Sequence, residues 1–457
     1  MAIVYDTYQR EAPQRLPLLN AADPARALVW RHGNAVSAAQ FLAHVHAVAA
    51  RLPAATAAVN LCEDRYAFLV VFCAIVLRGQ ANLLPSSRAQ QAVDEVMAAH
   101  PGCHALGEQA LDPAPRNYHQ LPSLDAVMPM TTDVAWPMIP ADQVVAIGYT
   151  SGSTGTPSAN VKTWGSFHAS NGGNLSMLHA VVGEHFDVVA TVPPQHMYGI
   201  EMSVLLPLLS GVGVHAGRPF FPADVAAALA EIPAPRVLVT TPVHLRALVE
   251  SGIALPPLAA MVSATAPLPV ELALAAEQRF GAPLLEVFGS TETCVFANRR
   301  PTVDEDWSLY DGVVLHPQPD GTAVEAPQLA ASVTLADIVS LSDGGRRFRL
   351  CGRHADMLEI AGKRASLGDL TRRLLAISGV QDGVVFQLDD GDALGVHRIA
   401  ALVVAPGLDE HVIFDALRRA IDPLFLPRPL RLVDALPRNE TGKLPRAALL
   451  ELLQHHA

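Results

Sequence analysis

Cysteine is sparse in this chain and nowhere paired. The five cysteines, Cys62, Cys73, Cys103, Cys294 and Cys351, stand apart with no C-x-x-C spacing. That argues against a zinc site or a disulfide framework and points to reduced thiols in a cytoplasm. Positive charge is also in deficit: 32 lysines and arginines against 44 acids give a formal charge of −12. A broad nucleic-acid footprint needs the opposite balance, so no nucleic-acid partner is expected. Long apolar runs are missing as well. The most apolar, "FLVVFCAIVL" from Phe68 to Leu77, is too short to span a bilayer and reads as a buried helix. The start, "MAIVYDTYQREAP", carries acids and no apolar core, so it does not read as a signal peptide. There is no internal repeat and no low-complexity tract.

What is present is the composition of a well-buried globular protein, 50% hydrophobic and 17% charged over 457 residues. That length suits one large domain and a smaller one. Ser37 and Gln40 have the spacing of a capping box ahead of "FLAHVHAVAARL", and Asp64 has the position of the next N-cap. The apolar runs "VVAIGYT", "DVVATVP", "RVLVTTP" and "LAAMVSAT" read as buried strands, with helical segments such as "DVAAALAEI" and "PVELALAAEQRFG" between them. The alternation predicts an α/β fold with largely parallel sheets, whose ligands sit at the carboxyl ends of strands. From Trp307 to Gln328 the chain is rich in Pro, Asp and Gly with weak periodicity. After Arg353 the pattern becomes a short α+β unit. The expected division is therefore 1–353 and 354–457.

One stretch cannot pack a core. "YTSGSTGTPSANVK" puts Thr150, Ser151, Gly152, Ser153, Thr154, Gly155 and Thr156 in a row directly after a predicted strand. Hydroxyls, bare N–H groups and free φ angles suit a loop that holds phosphate oxygens. The stretch does not follow G-x-x-x-x-G-K-[ST], because Pro157 stands where a glycine belongs and Ser158 where the lysine belongs. "SGVGVHA" nominally fits a dinucleotide fingerprint but precedes no clear helix, so it reads as a helix stop followed by a strand. "HVH" and the terminal "HHA" lack any metal-ligand context.

The phosphate-type loop resembles that of the adenylate-forming superfamily: acyl-CoA synthetases, aryl-acid ligases and peptide-synthetase adenylation domains. Five further motifs resemble the same family in the family's order. "EVFGSTETCVF" implies Phe288 against adenine, Gly289, Ser290 and Thr291 near phosphate, and Glu292 as the Mg²⁺ ligand. "PPQHMYGIEM" implies a gate histidine at His196. "TLADIVSLSDGGRRFRLCGR" implies Asp337 on the ribose hydroxyls and Arg353 closing on the nucleotide. "RHADMLEIAGKRASLGDL" resembles the hinge and the loop that swings in for the thiol step. "LPRNETGKLPRAAL" implies Lys443 as the catalytic lysine. The resemblance spans roughly Val36 to Leu449. It implies a large N-terminal domain of parallel-rich βα subdomains and a small mobile C-terminal domain, with ATP and Mg²⁺ as cofactors. The implied reaction is activation of a carboxylic acid as its adenylate, then transfer to a thiol.

Two departures stand out. The usual loop lysine is replaced by Ser158, and Lys162 follows four residues later beside Trp164. The expectation is that Lys162 supplies the phosphate cation and Ser158 continues the hydroxyl lining, the bland alternative being a solvated lysine. At the hinge, Ala355 stands where the family carries Asp or Lys. For the acid, "YGIEMSVLL" lacks the aspartate with which amino-acid-activating relatives pair an ammonium. The expected pocket combines Tyr198 and Met202 with Ser263, Thr265 and Ala266 of "MVSATAPLP". Such a pocket would admit a flat ring whose phenol bonds a hydroxyl, and would equally floor a fatty-acyl channel. The compact chain and its "KTW" resemble ligases of bacterial aryl-polyene and xanthomonadin pigment clusters, which load a hydroxybenzoate, 3-hydroxybenzoate in the xanthomonadin case, onto acyl carrier protein. Three readings compete: an aryl-acid:carrier-protein ligase, a fatty acyl-CoA or acyl-AMP ligase, and a non-catalytic nucleotide-binding regulator.

Overall fold

The computed structural model describes residues 14–20, 22–124, 136–150, 158–319, 321–353, 357–360, 363–391, 397–439, 442 and 444–455. The chain divides into two compact units. The first holds residues 1–218, 230–235 and 290–294, and the second holds 219–229, 236–289 and 295–457.

In the first unit, Ser37 caps the helix Ala38–Ala49 with both bonds of the expected capping box. Asp64 caps the helix Arg65–Leu77 through the amide of Ala67 at 2.8 Å. That second helix is buried from Arg65 to Val76, which explains why its sequence shows no amphipathic period. It serves a six-stranded sheet in the order Ser158–Thr163, Val144–Thr150, Ala81–Leu84, Ala57–Asn60, His104–Gly107, Tyr118–Gln120. All neighbours run parallel except the first pair. The strands Asp187–Ala190, Gly213–His215 and Ala27–Arg31 are parallel, and Asn34–Ser37 returns antiparallel. Gly213 therefore opens a strand, as the helix-stop reading of "SGVGVHA" requires.

In the second unit, Arg236–Thr240, Ala260–Ser263 and Leu284–Ser290 are parallel, with the expected helix Val270–Phe280 before the last. The antiparallel strands Cys294–Arg299, Trp307–Leu309, Arg347–Arg353 and Asp337–Ser342 continue the order. The region that looked irregular, from Trp307 to Gln328, contains the hairpin Val314–Gln318 with Gly321–Glu325, extended by Val333–Leu335. Its strands are short and Pro317 breaks their alternation, so no period survives in the sequence. Residues after Arg353 form an α+β set. The helices Leu367–Leu375 and Glu410–Ala420 bury Leu370, Leu374, Ile413 and Leu417 against the strands Asp382–Gly391 and His397–Val404.

Candidate active site

Within the first unit, the strand Val144–Thr150 leads toward the Ser/Gly/Thr stretch and packs against the turn Ser290–Cys294. Gly148 makes this approach feasible, because a Cβ there would lie 2.8 Å from the Thr291 methyl. The turn is tied internally. Ser290 N–H donates to Thr293 Oγ1 at 3.1 Å, Thr293 N–H returns the bond to Ser290 Oγ at 3.2 Å, and Thr293 Oγ1 donates to the Cys294 carbonyl at 2.9 Å. Cys294 takes the left-handed conformation with φ of 60°, rare for a residue with a side chain. Glu292 is half-buried, and Thr150 Oγ1 donates to its carboxylate at a long 3.5 Å. Among the described residues no lysine or arginine side chain pairs with that carboxylate. An anionic oxygen pair so placed, beside a threonine hydroxyl, suits a hard divalent cation, which takes oxygen ligands.

Lys162 is neither solvated nor bound to a carboxylate. It is 3% exposed, and its Nζ donates to the backbone carbonyl of Glu292 at 2.7 Å. Ser158, at the start of the same strand, is exposed.

The gate-loop motif follows the strand Asp187–Ala190. From Thr191 to Ile200 only His196 is not buried; it precedes the short helix Met197–Ile200. Tyr198 is 8% exposed and Met202 is fully buried. Arg65, not singled out in the sequence, brackets this loop. Its Nη2 donates to the carbonyls of Ala190 at 2.8 Å and Val192 at 3.0 Å, and its Nη1 donates to Ser203 Oγ. Burial lowers the Arg65 pKa to about 9. Behind the loop, Glu201–Leu205 is a π-helical turn, an irregularity frequent at functional sites. Glu201 is 1% exposed and accepts bonds from Ser170 Oγ and from Asn174 Nδ2, the latter at 3.1 Å.

In the second unit, Phe288 is half-buried. Its ring meets Phe296, Trp307 and Phe348 at centroid distances of 5.4, 5.2 and 5.8 Å. Trp307 carries Arg299 over its face at 4.5 Å, and Arg299 also binds the buried Glu286 at 2.6 Å. Burial raises the Glu286 pKa, and the Arg299 charge opposes the shift. Asp337 and Arg353 are directly paired across antiparallel strands. At the end of the strand Ala260–Ser263, Ser263 is fully buried and its Oγ has no partner among the described residues. Thr265 has φ of 82°, a strained value for a β-branched residue, and its Oγ1 also has no partner among the described residues. Gly442, next to Lys443, lies close to Ala266: a Cβ on it would be 3.8 Å from the Ala266 Cβ. Arg438 holds that turn, donating to the Gly442 carbonyl at 2.7 Å and to both Asp382 carboxylate oxygens at 2.7 and 2.8 Å. Residues Ser151, Gly152, Ser153, Thr154, Gly155, Thr156, Ala355 and Lys443 lie outside the described residues.

The fold, with a Glu292 carboxylate that no described lysine or arginine pairs with, is that of the adenylate-forming acid–thiol ligases. The chain belongs to the AMP-binding enzyme family, whose sequence model matches residues 20–320. It is 30% identical over 308 residues to a 4-coumarate–CoA ligase of Halorhodospira halophila, covering 65% of this chain and 73% of that protein. It is 28% identical to a sulfoacetate–CoA ligase of Cupriavidus necator, covering 72% and 70%. The o-succinylbenzoate–CoA synthetase of Bacillus subtilis, solved with ATP and magnesium, shares the fold with a TM-score of 0.78 at 16% identity, over 95% of this chain and 99% of that one. The anthranilate–CoA ligase AuaEII, solved with anthranoyl-AMP, does so with a TM-score of 0.77 at 17% identity, over 96% and 99%. The family's chemistry is ATP- and Mg²⁺-dependent adenylation of a carboxylic acid and thioester formation. Among the described residues no helix is long and apolar enough to cross a membrane.

Proposed function

We propose that this ligase activates a hydroxybenzoate, 3-hydroxybenzoate first among them, and passes it to the phosphopantetheine thiol of an acyl carrier protein. The observation that carries the aryl reading is the pair of unpartnered hydroxyls at Ser263 and Thr265. A buried hydroxyl without a partner costs roughly 1–3 kcal/mol, and a substrate phenol bonded to it would recover that cost where an alkyl chain would not. Glu201, an acid in the helical segment after the gate loop, is already engaged by Ser170 and Asn174, which disfavours an ammonium-bearing substrate. Relatives with 4-coumarate and anthranilate in their names agree with an aromatic acid. The resemblance of the compact chain and its "KTW" to the pigment-cluster ligases, which load acyl carrier proteins, favours the carrier protein as acceptor.

In the proposed reaction a carboxylate oxygen attacks the α-phosphorus of ATP, and the bond to pyrophosphate breaks. Thr150 through Thr156, with Thr291, donate to phosphate oxygens. Glu292 would hold Mg²⁺, whose charge would neutralise phosphate oxygens. Phe288 lies on the adenine, Asp337 accepts the ribose hydroxyls, and Arg353 closes the nucleotide site. Lys443 bridges the carboxylate and the α-phosphate, where charge develops. The thiol sulfur then attacks the acyl carbon past His196, and AMP leaves. Residues 354–457 turn between these half-reactions, with Ala355 at the hinge.

Acid-dependent pyrophosphate exchange tests the substrate. With 3- or 4-hydroxybenzoate it should exceed exchange with octanoate or any amino acid by about 10²-fold or more, since a site built for a polar group rejects an analogue lacking it. A preference for octanoate would transfer the assignment to fatty acids. Comparing carrier protein with CoA as the thiol then decides the acceptor.

A further inference from the structure

Building on the adenylating reading above, we infer that Lys162 is a positioning residue: it fixes the backbone of the metal-binding turn at Glu292 and does not bind phosphate itself. The strand Ser158–Thr163 reverses the usual preference of its side chains. Val161 is 56% exposed, while its neighbour Lys162 is 3% exposed. A pleated strand sends alternate residues to opposite faces, so this register commits the ammonium inward. The register is set by direct pairing of Lys162 with Ala146 and of Asn160 with Gly148. A buried ammonium persists only with partners, and these come from the turn. Its Nζ donates to the Glu292 carbonyl at 2.7 Å.

The peptide after Glu292 is held from both sides. Its N–H, that of Thr293, donates to Ser290 Oγ, and its carbonyl accepts from Lys162 Nζ. The bond from Lys162 is the one that acts on the carbonyl of the residue whose carboxylate would take the cation. Rotation of this peptide would swing the carboxylate away from Thr150 Oγ1. The lysine missing at position 158 is therefore not restored at 162. The strand spends its lysine on the geometry of the cation site, and phosphate contacts are left to the loop's own donors.

Calorimetric titration of ATP into the full chain, in EDTA and in saturating Mg²⁺, separates the two roles. The variants are Lys162→Met, which removes the donor, and Lys162→Gln, which keeps a donor and removes the charge. Under positioning, Lys162→Met binds metal-free ATP within about twofold of wild type but loses about tenfold of the affinity gained from Mg²⁺, the scale of one charge-assisted bond. Lys162→Gln recovers most of that gain. A fall of about tenfold in metal-free affinity in both variants overturns the inference, since an ammonium on phosphate acts without the metal. If Lys162→Met does not fold, Lys162→Gln alone decides: a retained Mg²⁺ gain supports positioning, and a lost gain with weakened metal-free binding overturns it. A wild-type chain that binds no ATP in either buffer overturns the adenylating reading itself, and this inference with it.

Discussion

Several of the side chains that hold this site together donate to backbone carbonyls. Arg438 is the clearest. Its fork grips both oxygens of Asp382 and leaves Nη1 for the Gly442 carbonyl, one residue before Lys443. Gly442 is left-handed at φ of 79°, so the turn depends on this residue lacking a side chain and on that bond. A displacement of about 1 Å at a reacting group can cost on the order of 10²-fold in rate. Arg438→Ala should therefore slow acid-dependent pyrophosphate exchange by about 10- to 100-fold. Arg438→Lys should recover little, because an ammonium cannot make the bidentate pair. Transfer from supplied acyl-adenylate to the thiol should stay near wild type. Equal losses in both half-reactions would mean that Arg438 serves the fold of residues 354–457 as a whole.

At the scale of elements, residues 190–203 form a clipped segment. Arg65 enters from the first turn of a helix and ties the strand end at Ala190 and Val192 to Ser203 on the π-helical turn. Ser203 Oγ passes the link on to the Gly199 carbonyl at 2.6 Å. Gly199 fits only without a side chain, since a Cβ there would lie 1.9 Å from the Pro193 carbonyl oxygen. Replacing Arg65 with Met removes a buried charge, which favours folding, but orphans two carbonyls at about 1–3 kcal/mol each. These terms oppose one another, so Arg65→Met should still fold with modest loss of stability while the loop loosens. Amide exchange in residues 191–203 should accelerate, and the KM for the acid should rise several-fold with kcat less affected. Unchanged exchange there would show that burial alone holds the loop.

For the whole molecule, the two half-reactions place different demands on one lysine. If residues 354–457 turn between them, Lys443 acts only while the carboxylate attacks the α-phosphate. A group acting mainly in that transition state is worth roughly 3–4 kcal/mol, or about 10²–10³ in rate. Lys443→Ala should nearly abolish pyrophosphate exchange and spare transfer from supplied acyl-adenylate. Parallel loss of both steps would indicate that the domain does not turn and that Ala355 marks a rigid connection.

What the sequence determined by itself was whatever depends on neighbours along the chain. Ser37 and Asp64 cap their helices where their spacing to Gln40 and Ala67 says they should. The runs ending in Thr150, Ala190, Thr240 and Ser263 are strands because short apolar stretches bounded by small polar residues fit a buried parallel sheet. The order of short motifs marked the family, because each works through a local loop. Tertiary structure alone decided which way individual polar side chains face. Lys162 and Val161 exchange their expected sides because pairing with Val144–Thr150 fixes the pleat, and a one-residue slip would reverse it. Arg65 finds its partners in the carbonyls of Ala190 and Val192, more than a hundred positions away in sequence. Glu201 is buried under Ser170 and Asn174 of the helix Trp164–Val182. Burial and hydrogen-bond satisfaction are set by contacts distant in sequence, so no local pattern carries them.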